Sequence, residues 1–288
     1  MKKLEVKLKF LNTLPDLARK FRFASDTLDQ IDSLNNVLGE KDKKIIYKHL
    51  IESDTPHIQL RKTISIDYEI YNITRALLQE FARHPIGNPF VVKSTRYALH
   101  KIAMDERIDI KYFLSNCDYE DINSIVKEEI VSDYYFIPEN DFISEELEYL
   151  GTERTRWIDS RYYELKSIKY YKTVHNMKND QLKKYVNDYM YCNITGNISG
   201  EALWNLLRQR LDNVAWYQFQ DLAKKLYNQI PDEWKPLFKV FKYKKVNIPE
   251  IEWELIDSEK LIYGITENVL NIFKEILSKD LVEKIYLV

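Results

Sequence analysis

HIQLRKTISIDYEIYNITRALLQEFARHPIGNPFVVKSTRY, residues 57–97, holds the change of period that decides the fold. Up to Asp67, Ile58, Leu60, Ile64 and Ile66 alternate with Gln59, Arg61, Thr63 and Ser65. That alternation predicts a half-buried strand over 57–67, with Lys62 as an oddity on its apolar side. From Glu69 onward the spacing lengthens. Ile70, Ile73, Leu77 and Phe81 form an apolar stripe, and Asn72, Arg75, Gln79 and Arg83 a polar one. The pattern predicts an amphipathic helix over 69–84. Pro85 disfavours helix at His84 and removes a donor, so the chain turns there. A Gly/Asn/Pro loop then leads to a polar cluster, Lys93-Ser94-Thr95-Arg96-Tyr97. Arg83, His84, Ser94 and Arg96 thus gather around one chain reversal, and such a set can grip an anion.

Outward from this stretch, residues 1–55 read as mainly helical, with Ile45, Ile46, His49 and Leu50 at helical spacing. Residues 119–131 and 154–175 read as amphipathic helices flanking an acidic, Tyr-rich loop at 134–148. Residues 188–198 read as extended and broken at Gly196. Ser199 is placed to cap a helix over about 200–228, which Pro231 ends. A last helix is expected over about 258–285. Long helices, few strands and no βαβ repetition predict an α+β fold, with long helices on a small, mostly antiparallel sheet. Nothing forces a second domain, so 1–288 reads as one unit with a helical extension from about 240.

Composition narrows the function. Of 288 residues, 45% are apolar and 31% charged, and the net charge of −2 gives no basic field calling for nucleic acid. The chain has only 6 Gly and neither a dinucleotide fingerprint nor a P-loop, so a phosphate must be held by side chains or a helix end. Cys117 and Cys192 match no metal spacing, and no metal site is expected. Without a signal-like apolar stretch or a run long enough to span a bilayer, a cytoplasmic location and no membrane contact are expected. The 21 Tyr read first as amphipathic packing.

Arg83-His84, a loop, then Ser94-Thr95-Arg96-Tyr97 resembles the signature of the flavin-dependent thymidylate synthases: Arg-His-Arg, a seven-residue spacer, Ser, any residue, Arg-Tyr. Ile73-Thr74-Arg75-Ala76-Leu77-Leu78-Gln79-Glu80 resembles that family's signature helix. A second patch, Asn205-Leu206-Leu207-Arg208-Gln209-Arg210-Leu211-Asp212, is similar to its second flavin and nucleotide helix. Departures accompany both. Pro85 replaces the third residue of the triplet, the loop is one residue longer, and Glu201 stands where the family usually has arginine. The family's flavin segment is at best Asp54-Thr55-Pro56-His57.

The resemblance implies a thymidylate synthase-complementing-protein fold and reductive methylation of dUMP to dTMP. It implies FAD as cofactor, NADPH as reductant, methylenetetrahydrofolate as carbon donor, and a homotetramer whose sites form between subunits. It places Arg83, His84, Asn205 and His57 on the flavin, and Glu80, Ser94, Arg96, Lys184 and Arg210 on the nucleotide. Ser94 and Arg210 fall nearest the chemistry. Two other readings remain open. One is a relative that binds a pyrimidine nucleotide or flavin with the activity lost or changed. The other is a helical interaction or scaffold protein. Taken singly, Arg83 and His84 suit a helix C-terminus, and Arg208, Arg210 and Asp212 suit an exposed ion-pair face. Only their joint order favours a site.

Overall fold

Asn72 marks where the sequence pattern and the fold part. The computed structural model describes residues 2–23, part of 39–48, 58–111, 123–139, 147–211, 215–239, 241–245 and 282–286. In it Asn72 has φ 57° and sits inside a strand, Ser65–Thr74, rather than in a helix. Ile66 pairs with Ile198 and Ile70 with Ile194, but Ile73 pairs with Cys192, so one extra residue has entered the strand. That bulge turns Ile73 back to the side of Ile66, Tyr68 and Ile70, and all four are buried. The bulge mimics the three-residue spacing of a helix. Asn tolerates the left-handed conformation better than most residues. Its side-chain amide also donates to the Lys3 carbonyl at 2.8 Å. The helix starts only where the Thr74 hydroxyl accepts from the Leu77 N–H at 3.1 Å.

In chain order the elements are β1 (Glu5–Phe10), α1 (Leu14–Arg22), α2 (Ile58–Lys62), β2 (Ser65–Thr74), α3 (Arg75–Phe81), β3 (Phe90–Val92) and α4 (Thr95–Met104). Then come α5 (Ser124–Tyr134), α6 (Leu147–Thr173), α7 (Asn179–Leu182), a 3-10 turn (Lys183–Tyr185), β4 (Tyr191–Ser199), α8 (Gly200–Arg210) and α9 (Tyr217–Asn228). A 3-10 turn (Lys235–Phe238), β5 (Phe241–Lys245) and β6 (Val282–Tyr286) follow.

Several expectations are corrected. The strand expected from His57 begins at Ser65. Ile58–Lys62 is a helix with Lys62 exposed; among the described residues, strand pairing begins only at Ser65. The helix expected over 69–84 shrinks to Arg75–Phe81. The N-terminus opens with β1, whose charged residues Glu5, Lys7 and Lys9 alternate with Val6, Leu8 and Phe10 on the core side. Around the helical spacing read at Ile45–Leu50, the described positions Glu40, Asp42, Lys44, Ile46 and Lys48 are helical. The loop after Pro85 contains β3.

Gly196 does not break β4. A Cβ there would lie 2.4 Å from the Pro89 carbonyl oxygen and 2.7 Å from the Tyr68 hydroxyl, so glycine is what lets these segments close. The helix expected over 200–228 is two, α8 and α9. The one expected over 258–285 is replaced at its end by β6, which pairs with β5; residues 258–281 lie outside those described.

The main sheet runs β1-β2-β4-β3, every pair antiparallel. Ile66, Ile70, Ile73 and Ile194 pack with Leu203, Leu206 and Leu207 of α8 and Phe219, Leu222 and Leu226 of α9. A second core joins α4, α5 and α6 through Leu99, Ile102, Ile130, Val131, Leu165 and Ile168. This is the expected α+β architecture. Among the described residues no helix is long and apolar enough to cross a membrane.

Candidate functional site

The last turn of α3 and the end of α8 meet, although 126 positions separate His84 from Arg210. Buried Leu77 and Phe81 fix α3, and buried Leu203, Leu206 and Leu207 fix α8, so the polar residues at their ends are held by the core. His84 Nε2 accepts from Arg210 Nε at 3.2 Å. That leaves the imidazole proton on Nδ1. Burial first, then the Arg210 charge, lower the His84 pKa, and Glu80 opposes them. Glu80 sits between two guanidiniums, with Arg83 Nη1 at 2.7 Å and Arg210 Nη2 at 3.7 Å. Phe219 lies beneath, its ring centre 4.4 Å from the Arg210 guanidinium carbon and 5.7 Å from the His84 ring, which it meets edge-on.

Further back along α8, Asn205 Nδ2 donates to Glu201 Oε1 at 3.1 Å. The other Glu201 oxygen takes Arg61 Nη1 at 3.2 Å. These two side chains are 3% and 10% exposed, and Arg61 lies 4.4 Å over the Trp204 ring. Acid on α8 and base on α2 therefore form a buried pair that holds the Asn205 amide. Its energetic weight lies in the cost of breaking it.

Ser94 and Arg96 form a separate cluster. The Ser94 hydroxyl caps α4, accepting from the Arg96 N–H at 3.3 Å. Arg96 Nη2 reaches Asp180 Oδ2 at 3.4 Å, with side chains 62% and 60% exposed. Asp180 also takes Lys183 at 2.8 Å, while Lys184 lies 5.0 Å from the Tyr185 ring centre. Arg75 Nη1 donates to the Thr95 hydroxyl at 2.8 Å, tying α3 to the start of α4.

The structure thus brings Glu80, Arg83, His84 and Arg210 together and sets Asn205 on the same helix as Arg210. Among the described residues, Ser94, Arg96 and Lys184 share no hydrogen bond or ion pair with them. His57 lies outside the described residues. Arg61 was missed because the alternation put it on the solvent side of a strand, and nothing local announces a partner 140 positions away. Glu201 had one signal, its departure from the family's arginine.

The altered loop after His84 is pinned at each step. Asn88 N–H donates to the Pro85 carbonyl at 3.3 Å, Ser199 N–H to Gly87 at 2.8 Å and Asn197 N–H to Pro89 at 3.1 Å. The buried Tyr68 hydroxyl donates to Asn88 Oδ1 at 2.8 Å. Gly87 has φ 69°, and a Cβ there would meet the Ser199 hydroxyl at 2.6 Å.

A sequence model of the thymidylate synthase complementing protein family matches residues 15–236. The chain belongs to this family. Flavin-dependent thymidylate synthase from Helicobacter pylori strain J99 is 28% identical over 201 residues, covering 70% of this chain and 83% of that protein. The enzyme of the same name from Campylobacter jejuni strain RM1221 is 26% identical over 206 residues, covering 70% and 81%. Among solved structures, thymidylate synthase X from Helicobacter pylori with FAD and dUMP superposes with a TM-score of 0.59. It is 22% identical and covers 82% of this chain and 97% of that one, and it shares the fold. The family match spans both basic clusters and the pinned loop between them.

Proposed function

We propose that this chain is a flavin-dependent thymidylate synthase. It would convert dUMP to dTMP with methylenetetrahydrofolate as carbon donor, NADPH as reductant and FAD between them. The observation that carries this reading is the His84–Arg210 contact, which brings the ends of the two sequence patches together. The donors there suit the cofactor. Guanidinium and amide N–H groups match the acceptor oxygens of an isoalloxazine and the charge of a diphosphate.

Arg83, His84 and Asn205 would hold the flavin, with His57 a further contact. FAD supplies the redox and carbon-transfer chemistry when bound. Ser94 and Arg96 would take the dUMP phosphate, Ser94 by its hydroxyl and Arg96 by a two-pronged contact. Lys184 would add a point charge, and Glu80 would sit beside the nucleotide. Arg210, steadied by His84 and Phe219, would stabilise the negative charge that develops on the pyrimidine ring. Ser94 then acts as a binding and capping group and need not form a covalent bond. The family resemblance implies a homotetramer in which neighbouring subunits complete each pocket, and the lack of a shared hydrogen bond or ion pair between the Arg96 and Arg210 clusters among the described residues fits it.

Purified protein should be yellow, with a flavin absorption band, and should release tritium from ring-labelled dUMP when folate donor and NADPH are supplied. Colourless protein that takes up no added FAD rejects the reading. Pro85 favours a second one: it lacks the charge-assisted contact, worth about 1.5–3 kcal/mol, that the resemblance implies at that position, so the chain would hold flavin less tightly and bind a pyrimidine nucleotide or flavin with the synthase activity lost or changed. Growth of a thymidine auxotroph carrying this gene, without thymidine, excludes that version.

A further inference from the structure

A cavity of about 450 Å³ opens between the N-terminal end of β1, the bulge of β2 and the outer face of α9. That volume falls in the range of small-molecule sites, roughly 300–1,000 Å³. None of the residues assigned above to flavin or nucleotide lines it. Its apolar surface comes from Leu4, Leu77 and Phe136. Among the described residues its charges are unequal: Lys2, Lys3, Lys224 and Lys225 against the carboxylate of Asp221.

That carboxylate is already taken by Lys225 at 3.3 Å. Lys2 donates its ammonium to the Asp133 carbonyl. Lys3 and Lys224 have no partner among the described residues. Burial lowers the pKa of Lys2; Asp133 opposes this, while Lys101, Arg107 and Lys93 add repulsion. The site is therefore short of negative charge.

The wall is also held in place. Asn72 Nδ2 donates to the Lys3 carbonyl at 2.8 Å and the Tyr191 hydroxyl to the Lys2 carbonyl at 3.2 Å, so Lys2–Lys3 is strapped across the bulge. Gln218, buried on the α9 side, is fixed by the Thr74 hydroxyl at 3.0 Å. An apolar floor beside ammonium groups unpaired among the described residues favours an apolar, aromatic body carrying a phosphate or carboxylate. An ammonium gains more beside an apolar surface, where water is displaced, than on an open face.

We propose that this cavity is a second ligand site, separate from the flavin and nucleotide site, for a small aromatic anion, with Lys3 and Lys224 as its charge-reading residues. Lys3 and Lys224 are exposed, so replacing them leaves the core untouched.

The test is calorimetric titration of the full chain, saturated with FAD and dUMP, with 1-naphthyl phosphate, and in parallel with neutral 1-naphthol and with inorganic phosphate. One equivalent of 1-naphthyl phosphate should bind, with both parallel probes at least tenfold weaker. The double variant Lys3→Ala/Lys224→Ala should lose tenfold or more in naphthyl phosphate affinity, and Lys224→Glu alone should also weaken it. Both variants should keep the parent's melting temperature and FAD uptake. Absence of binding to the saturated protein, equal binding to the double variant, or binding seen only when dUMP is left out each overturns the proposal. Protein that takes up no FAD overturns the synthase reading instead, and the same titrations on that protein still decide this one.

Discussion

The two basic clusters are built in opposite ways. Around Arg210, each polar group is braced by another. His84 and Glu80 hold the guanidinium, Phe219 lies beneath it, and the Arg61–Glu201 pair anchors Asn205 on the same helix. Around Arg96 the groups are exposed, and among the described residues the Arg96 guanidinium meets Asp180, which Lys183 shares. The first region has its geometry before any ligand arrives. The second presents loosely held charge, and an anion replacing Asp180 would organise it. Preorganised donors suit stabilisation of developing charge, and exposed cations suit capture of a phosphate.

The sharpest way to break this contrast is to cut the brace. Arg61→Met or Glu201→Met leaves a buried charge unpaired and should cost about 3–5 kcal/mol, read by urea unfolding, with FAD uptake falling alongside. The double variant should regain most of that stability but not the FAD affinity, because Asn205 has lost its holder. If FAD affinity returns with stability, the pair is structural only.

Arg210→Ala comes next. Losing one charged contact of about 1.5–3 kcal/mol should weaken dUMP about 10- to 100-fold in a calorimetric titration of the FAD-loaded protein. Arg96→Ala should raise the dUMP dissociation constant about tenfold while stability stays within ~0.5 kcal/mol, as for other exposed residues. Asp180→Asn, by releasing Arg96 and Lys183, should tighten dUMP instead. Equal destabilisation by Arg96→Ala and Arg210→Ala would erase the distinction.

The smallest effect is that of pH. His84 has a lowered pKa in the folded chain, so the unfolded chain binds its proton more readily. Its contribution to stability is present above about pH 6.5 and is lost as pH falls through that value toward the lower folded one. Melting temperature measured against pH should therefore drop less steeply on acidification in His84→Gln than in the parent.

The candidate residues stand out in the sequence because their signal is local. The spacing from Arg83-His84 to Ser94 and Arg96, and the order of Asn205 and Arg210, are properties of short segments. Ser199 as a cap was legible for the same reason, and its hydroxyl accepts from the Ala202 N–H at 3.2 Å. The 69–84 helix was misread because a bulge and a helix place apolar residues at the same spacing, and periodicity alone cannot separate them. β1 was missed although Val6, Leu8 and Phe10 alternate with charge; a strand of six residues shows itself only with a neighbour to pair with.

By itself the sequence determined the fold class, the family signature and the proline turn after His84, and it singled out the candidate residues for an anion. Those follow from side-chain chemistry and from steric rules acting over a few residues. Only the tertiary structure decided that His84 meets Arg210, that Glu201 is neutralised by Arg61, and that a lysine-rimmed cavity lies beside the bulge. Each is a contact between distant segments, fixed by how the sheet and the two helices on it share one core.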